Sequence, residues 1–350
     1  MNIARSGLRI PLRAARRIKR RIQHRGLILL YHRVAHLDRD PFEQAIAPDV
    51  FEDQMATLAR DFSPMTLVDM AAAVMEKRLP RRAVAVTFDD GYADNLHAAL
   101  PLLERYEVPA TIFVTSAAVG RRREFWWDEM ERVLLSPGRL PRELQIEVTG
   151  RMHRFDLGSA ASYDRTEASA HSDWSMMSEQ EPTSRHRIYV ELFNLLLRLP
   201  PNEVTTVLDT LIGWAGTDPT RRDSHRSLTR DEMIELGSSA LIEIGAHTVT
   251  HRVLASASAE AQRDEIEGSR DELHRALGWV PTSFAYPYGF ASSYDEQTVA
   301  LLRGAGFECA CTTAGKPLMN GCDPYALPRV WPRASAAAGF RRRLNGFLSA

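Results

Sequence analysis

Two adjacent carboxylates, Asp89 and Asp90, close the apolar run Ala83-Val84-Ala85-Val86 and lead into Gly91-Tyr92. A short continuous apolar run with β-branched residues reads as a buried strand. Like charges at the mouth of such a strand push their pKa values apart unless a cation or a hydrogen-bond donor intervenes. A metal ion is the simplest remedy: one carboxylate binds it and the other stays free as a base. Gly91 then lets the backbone turn sharply beside whatever is bound.

Further ligands for such an ion stand later in the chain. Leu241-Ile242-Glu243-Ile244-Gly245-Ala246 reads as a second strand and runs into His247-Thr248-Val249-Thr250-His251. Two His residues four apart share one face of a helical turn, so both imidazoles reach one ion. Zinc proteases use the same spacing, but Thr248 stands where their motif needs a Glu base. The base must come from elsewhere, and the Asp pair offers one. One Asp and two His leave open positions for water and substrate, as a catalytic metal site requires.

A third segment, Ser283-Phe284-Ala285-Tyr286-Pro287-Tyr288-Gly289, ends a strand in a rigid turn where backbone N–H groups point into a cleft. The ordered set of Thr-Phe-Asp-Asp-Gly, His-Thr-x-x-His and Pro-Tyr-Gly resembles the polysaccharide deacetylase superfamily, carbohydrate esterase family 4, which includes chitooligosaccharide deacetylases of the nodulation type. The resemblance runs from about Leu27 to Arg333. It implies Asp89 as general base and Asp90, His247 and His251 as ligands of a divalent metal. Zinc is the first expectation, with cobalt and nickel as alternatives. It also implies the Tyr288 backbone N–H as a donor to the tetrahedral oxyanion. Amide hydrolysis needs these parts: a Lewis acid, an activated water and an acid for the departing amine.

The departures from the family pattern are informative. Ala285 stands two residues before the Pro, where the family carries Arg. The late Leu-x-x-His that supplies the general acid is absent, and Leu327-Pro328-Arg329-Val330 stands near its place. The early strand Leu27 to His32 resembles the branch that deacetylates exopolysaccharide glucosamine polymers, with the acid His on the first strand. His32 is therefore the expected general acid, and Arg329 a substitute for the missing Arg.

These residues collect at strand ends. His32, Asp89, Thr115, His247 and Tyr288 all follow expected strands, with Cys309 to Thr313 as another. Helical patterns run over 95–106, 259–277 and 293–305. Strand and helix in alternation, with polar chemistry at strand ends, is the logic of a (β/α) barrel. The fold class expected is thus α/β, a distorted barrel of the deacetylase type, over 26–333. The span from Asp90 to His247 is too long for one helix and a strand or two. An insertion over 121–226, mostly helical, is expected above the barrel mouth, with helices near 187–199 and 202–213. Trp126 and Trp127 either pack this insertion onto the barrel or stack on sugar rings; Asp128 receives no role.

The chain has 350 residues, 44% hydrophobic and 25% charged, with a formal net charge of −1. This suits one barrel plus an insertion and gives no case for nucleic acid as partner. Three Cys make no even disulfide set and point to a reducing, cytoplasmic setting. Residues 1–25 are basic and amphipathic, without the apolar core of a signal or a membrane span. Such a segment either is solvated or rests on an anionic membrane, as would suit a lipid-linked sugar substrate at the inner face. Arg341-Arg342-Arg343, in a tail over 334–350, is a second basic patch. The function expected is removal of an N-acetyl group from an amino sugar in a polysaccharide, oligosaccharide or lipid-linked glycan. The alternatives are an O-deacetylase or other amide hydrolase, and a non-catalytic member that binds glycan or membrane. The sequence sets no oligomeric state.

Overall fold

The computed structural model describes residues 25–333 and 337–349. The basic segment lies outside the described residues except for Arg25, which opens the first strand. Seven parallel strands of the described chain make the path of a nine-stranded sheet: β1 (Arg25–Tyr31), β2 (Ala83–Phe88), β3 (Ala110–Val114), β6 (Ile242–Ala246), β7 (Ser283–Ala285), β8 (Cys309–Thr312) and β9 (Leu327–Pro328), paired in that order, with Ser63–Pro64 added parallel to β2 and Leu318–Met319 antiparallel to β1. A parallel bridge from Leu29 to Val330, with Val330 N–H donating to Ile28 O at 2.8 Å, brings the last strand back to the first. The sheet is therefore a nearly closed (β/α) barrel. Its strands are buried on both faces, which is why they read as continuous apolar runs.

Helices clothe the outside: α1 (Pro48–Asp61), α2 (Leu67–Met75), α3 (Leu100–Arg105), α7 (Arg230–Ser238), α8 (Ala259–Leu277) and α9 (Glu296–Gly304). A π-helical turn over Asn95–Ala99 precedes α3, whose second residue is Pro101. The long α8 begins on a Ser258 cap that accepts the Ala261 N–H and stops at Gly278, φ 84°. The segment set aside as a tail contains a helix, α10 (Ala337–Ser349), which buries Phe340 and Leu344 in the barrel core.

The insertion has an apolar core of its own. Trp127, Met130 and Leu134 of α4 (Trp126–Leu135) pack against Ile188 and Leu192 of α5 (Ser184–Leu196) and Leu208 and Leu211 of α6 (Pro201–Ala215). Buried Arg185 ties it together by donating to the carbonyls of Leu134, Ser136, Gly138, Ala160 and Ala161. Beside the expected helices lies an antiparallel hairpin, β4 (Glu143–Val148) and β5 (Arg151–Asp156), turning at Thr149 and Gly150 with φ 50° and 76°. Its signal is in the sequence: Leu144, Ile146 and Val148 alternate inward with polar residues between them.

Candidate active site

Asp89 and Asp90 leave the C-terminal end of β2, and both are buried. Asp89 N–H donates to Tyr31 O at 3.0 Å, which carries the β1–β2 pairing one residue past the strand. The chain then turns through left-handed geometry at Asp90 (φ 75°) and Gly91 (φ 80°). A side chain at Gly91 would be strained there and would press on Val114. A non-glycine residue such as Asp90 in this region costs energy, and here the cost falls on a functional residue.

His247 and His251 do converge, but not on a helix as the spacing suggested. Residues 247–251 form a loop in which Thr248 (φ 63°) and His251 (φ 61°) are both left-handed. The physical reason is local hydrogen bonding. Thr248 Oγ1 accepts the His251 N–H at 2.9 Å, and Glu265 of α8 accepts the N–H groups of Val249 and Thr250 at 2.9 and 2.8 Å. Glu265 also takes the Thr250 hydroxyl. Nothing in the short motif announces Glu265, since its role depends on where α8 docks.

His247 Nδ1 donates to Ala285 O at 2.8 Å, which fixes the tautomer and leaves Nε2 with its lone pair facing Asp90. That Nε2 lies 3.6 Å from Asp90 Oδ1, and His251 Nε2 lies 3.3 Å from the same oxygen. The three donor atoms fall within 4.8 Å of one another. Both Asp90 oxygens are buried without a hydrogen-bond partner among the described residues. Burial and the Asp89 charge raise Asp90 well above the ordinary carboxylate range, and burial with the His247 charge lowers His251. A buried acid and two buried imidazoles facing one point, with no protein donor for the acid, fit a divalent ion.

Asp89 is held differently. Arg329, just past β9, donates to its two oxygens at 2.6 and 2.7 Å, and to Thr87 Oγ1 and Thr312 O at 3.3 Å. Burial alone would raise the Asp89 pKa. The charges of Arg329 and His247 outweigh it and hold the carboxyl at about 2. His32, after β1, joins the same cavity and stacks on Trp331 at 5.3 Å and 29°. Burial lowers its pKa to about 4 against the opposing pull of Asp89, and its Nδ1 has no partner among the described residues. Trp331 has no signal in the sequence, because only closure of the barrel carries it to His32.

Tyr288 is also left-handed (φ 63°), and its N–H takes no part in the hydrogen bonds of its turn. Its carbonyl accepts from Thr313 Oγ1 at 2.8 Å. Next to it, Gly289 lies so close to Thr313 that an added Cβ would stand 2.8 Å from its nitrogen. The cavity, about 480 Å³, is bounded by His32, Asp89, His247, His251 and Tyr288 and by aromatic residues of the insertion. Trp127 is buried, 4.8 Å from the His251 ring, and donates to Tyr92 Oη at 3.1 Å. Trp126 stacks on Phe193 at 5.0 Å. Trp127 therefore packs the insertion against the barrel mouth, while Trp126 packs on Phe193 within the insertion. Asp128 accepts the Tyr92 hydroxyl at 2.7 Å, and burial pushes it up to about 7.

The family model described as polysaccharide deacetylase matches residues 76–138 and 213–310, leaving the middle of the insertion unmatched. A curated Bacillus subtilis protein, YxkH, whose name describes a polysaccharide deacetylase, is 30% identical over 109 residues. That match takes in 30% of this chain and 37% of the relative's length. Among solved structures, the Streptococcus pyogenes deacetylase PplD in complex with acetate superposes with a TM-score of 0.57 at 16% identity, covering 94% of this chain and 100% of that one. IcaB from Ammonifex degensii gives 0.55 at 18% identity, with 93% and 98% covered. At such identities these two likenesses speak for the barrel fold.

Proposed function

This chain carries the domain of the polysaccharide deacetylase family, and on that premise we propose that it hydrolyses the N-acetyl amide of an amino sugar in a glycan. The observation that carries the reading is the division of labour between adjacent carboxylates. Asp89 is ionised and clamped by Arg329, while Asp90 has no protein donor and faces two imidazoles. A module that only binds glycan has no use for that pairing.

Asp90, His247 and His251 would hold a divalent ion, zinc by the nature of the donors, which supplies Lewis-acid polarisation of the amide and a lowered pKa for water. Asp89 takes the proton from the attacking water; each of its oxygens keeps a lone pair beyond the Arg329 bond. The Tyr288 N–H donates to the oxygen that gains charge in the tetrahedral state. His32, neutral at rest, takes up a proton from solvent in the cavity as negative charge grows beside it and passes it to the departing amine nitrogen, while Asp89 returns the water proton to solvent. Three free cysteines, two of them buried in β8, support a reducing compartment as the setting. No helix among the described residues is long and apolar enough to cross a membrane.

The test compares wild type with Asp89→Asn for metal content and for amine release from N-acetylglucosamine oligomers. Release should fall by about 10²–10⁴-fold while metal content is retained. Loss of metal in the variant would reverse the roles of the two carboxylates. Wild-type protein that binds metal yet releases no amine from oligomers or a lipid-linked N-acetyl sugar would refute the reading.

A further inference from the structure

The basic triplet near the chain's end does not act as one patch. Arg341 pairs with Asp61 on α1, and Arg342 is exposed. Arg343 turns inward and lines the catalytic cavity together with Arg333, from the segment after β9. Neither of these two guanidiniums has an acidic partner among the described residues, and Arg343 Nε is buried without a hydrogen bond. Burial and the Arg333 charge hold Arg343 below its ordinary pKa, so the two cations feel each other. Glu43, an exposed acid of the same lining, pairs with neither. Two like charges on one wall are a cost unless an anion lies against both.

The rest of the wall is apolar to a degree that a free sugar does not need. Phe42, Met177, Phe193, Phe290, Trp331 and Phe347 line the cavity. Met177 is 81% exposed and Trp331 36% exposed, so an apolar surface continues to the rim. Phe347 and Arg343 come from the same helix, with the Arg343 guanidinium over the Phe347 ring. Cation and hydrocarbon wall are thus adjacent on one element, both opening into the space that holds Asp89 and His32.

Building on the deacetylase reading, we propose that the substrate is a lipid-linked amino sugar, its phosphate against Arg333 and Arg343 and its hydrocarbon chain along the aromatic wall. The phosphate joins sugar to lipid, so both arginines serve recognition and neither takes part in the chemical step.

The experiment is calorimetric titration of the metal-loaded full chain with farnesyl phosphate below its micelle concentration, and with farnesol and inorganic phosphate separately. Farnesyl phosphate should bind at least about tenfold tighter than either component, because only it meets both halves of the site. Arg333→Gln and Arg343→Gln should each weaken it about tenfold, the worth of one charge-assisted hydrogen bond. Arg342→Gln should change nothing, and Arg343→Lys, which keeps the charge should the Gln variant fold poorly, should retain most of the binding. Equal binding of inorganic phosphate would mean a site for free anions, and equal binding of farnesol a merely apolar wall. Either result, no binding at all, or full affinity in both Gln variants would overturn the proposal. The probe contains no amide, so its binding is independent of catalysis. Amine release from N-acetylglucosamine oligomers without farnesyl phosphate binding sinks this proposal alone. Arginine-dependent binding without amine release from any substrate sinks the deacetylase reading alone.

Discussion

Arg329 grips Asp89 through two parallel hydrogen bonds, at 2.6 and 2.7 Å, inside a barrel where both side chains are buried. The guanidinium fork matches the carboxylate and fixes its orientation as well as its charge. It arrives from β9, whereas the family pattern places an Arg before the Pro turn, where this chain has Ala285. The backbone carbonyl of Ala285 receives the His247 Nδ1–H.

Arg329→Met leaves a buried carboxylate without its partner and should cost about 3–5 kcal/mol of stability. The remaining burial then raises the Asp89 pKa from about 2. Because the base must be ionised, the acid limb of kcat/KM should move to higher pH. A pH–rate profile checks this, and an unmoved limb would separate Arg329 from the function of Asp89.

His32→Gln should slow turnover by about 10²–10⁴-fold with metal content unchanged, if this ring supplies the proton for the leaving amine. Trp331→Phe keeps an aromatic face against the ring and should be mild, whereas Trp331→Ala should lower kcat more than it raises KM. Steady-state kinetics decide this. A His32→Gln enzyme within twofold of wild type would remove it from the proton path.

Glu265→Gln replaces an acceptor of three hydrogen bonds with a side chain that is half donor. The turn carrying His251 should loosen, and metal affinity should fall about 10–100-fold while the fold persists. Competition with a chelator, alongside circular dichroism, gives both readings. Unchanged affinity would show that the left-handed turn holds without its carboxylate.

His186 lies buried in the insertion, with Nδ1 2.8 Å from Thr183 Oγ1 and Trp174 4.6 Å away. Burial, with the charges of His171 and Arg185, depresses its folded pKa to about 4 from an ordinary 6.5. The unfolded chain therefore binds the proton first. The contribution is fully present above about pH 6.5 and is lost as the pH falls towards 4. Urea midpoints of wild type and His186→Gln should converge over that interval; a constant difference would contradict the shift.

The parts of the site that could be read from sequence are those whose function is written within a few residues. The Asp pair, the two His and the Pro-Tyr-Gly turn each sit directly after an apolar strand, and strand ends are where a parallel barrel gathers chemistry. What the spacing misjudged is the path between the two His. A separation of four residues suits a helical turn, but Thr248 and Glu265 offer the backbone other partners, and the chain takes a left-handed loop. Arg329, Trp331 and Glu265 owe their roles to neighbours far away in the chain, and no local pattern encodes that. The hairpin at 143–156 was legible in its alternation, yet the helical periodicity on both sides of it drew the whole insertion towards helix.

The bridge between Leu29 and Val330 sets an order in time. A ribosome delivers β1, both carboxylates and both imidazoles before it delivers Arg329, and the final strand cannot pair with the first until nearly the whole barrel has been made. Until then Asp89 lacks the cation that keeps it charged once buried, and His32 lacks Trp331. The centre is therefore complete only once the seam has closed, because Arg329 and Trp331 reach Asp89 and His32 with the last strand.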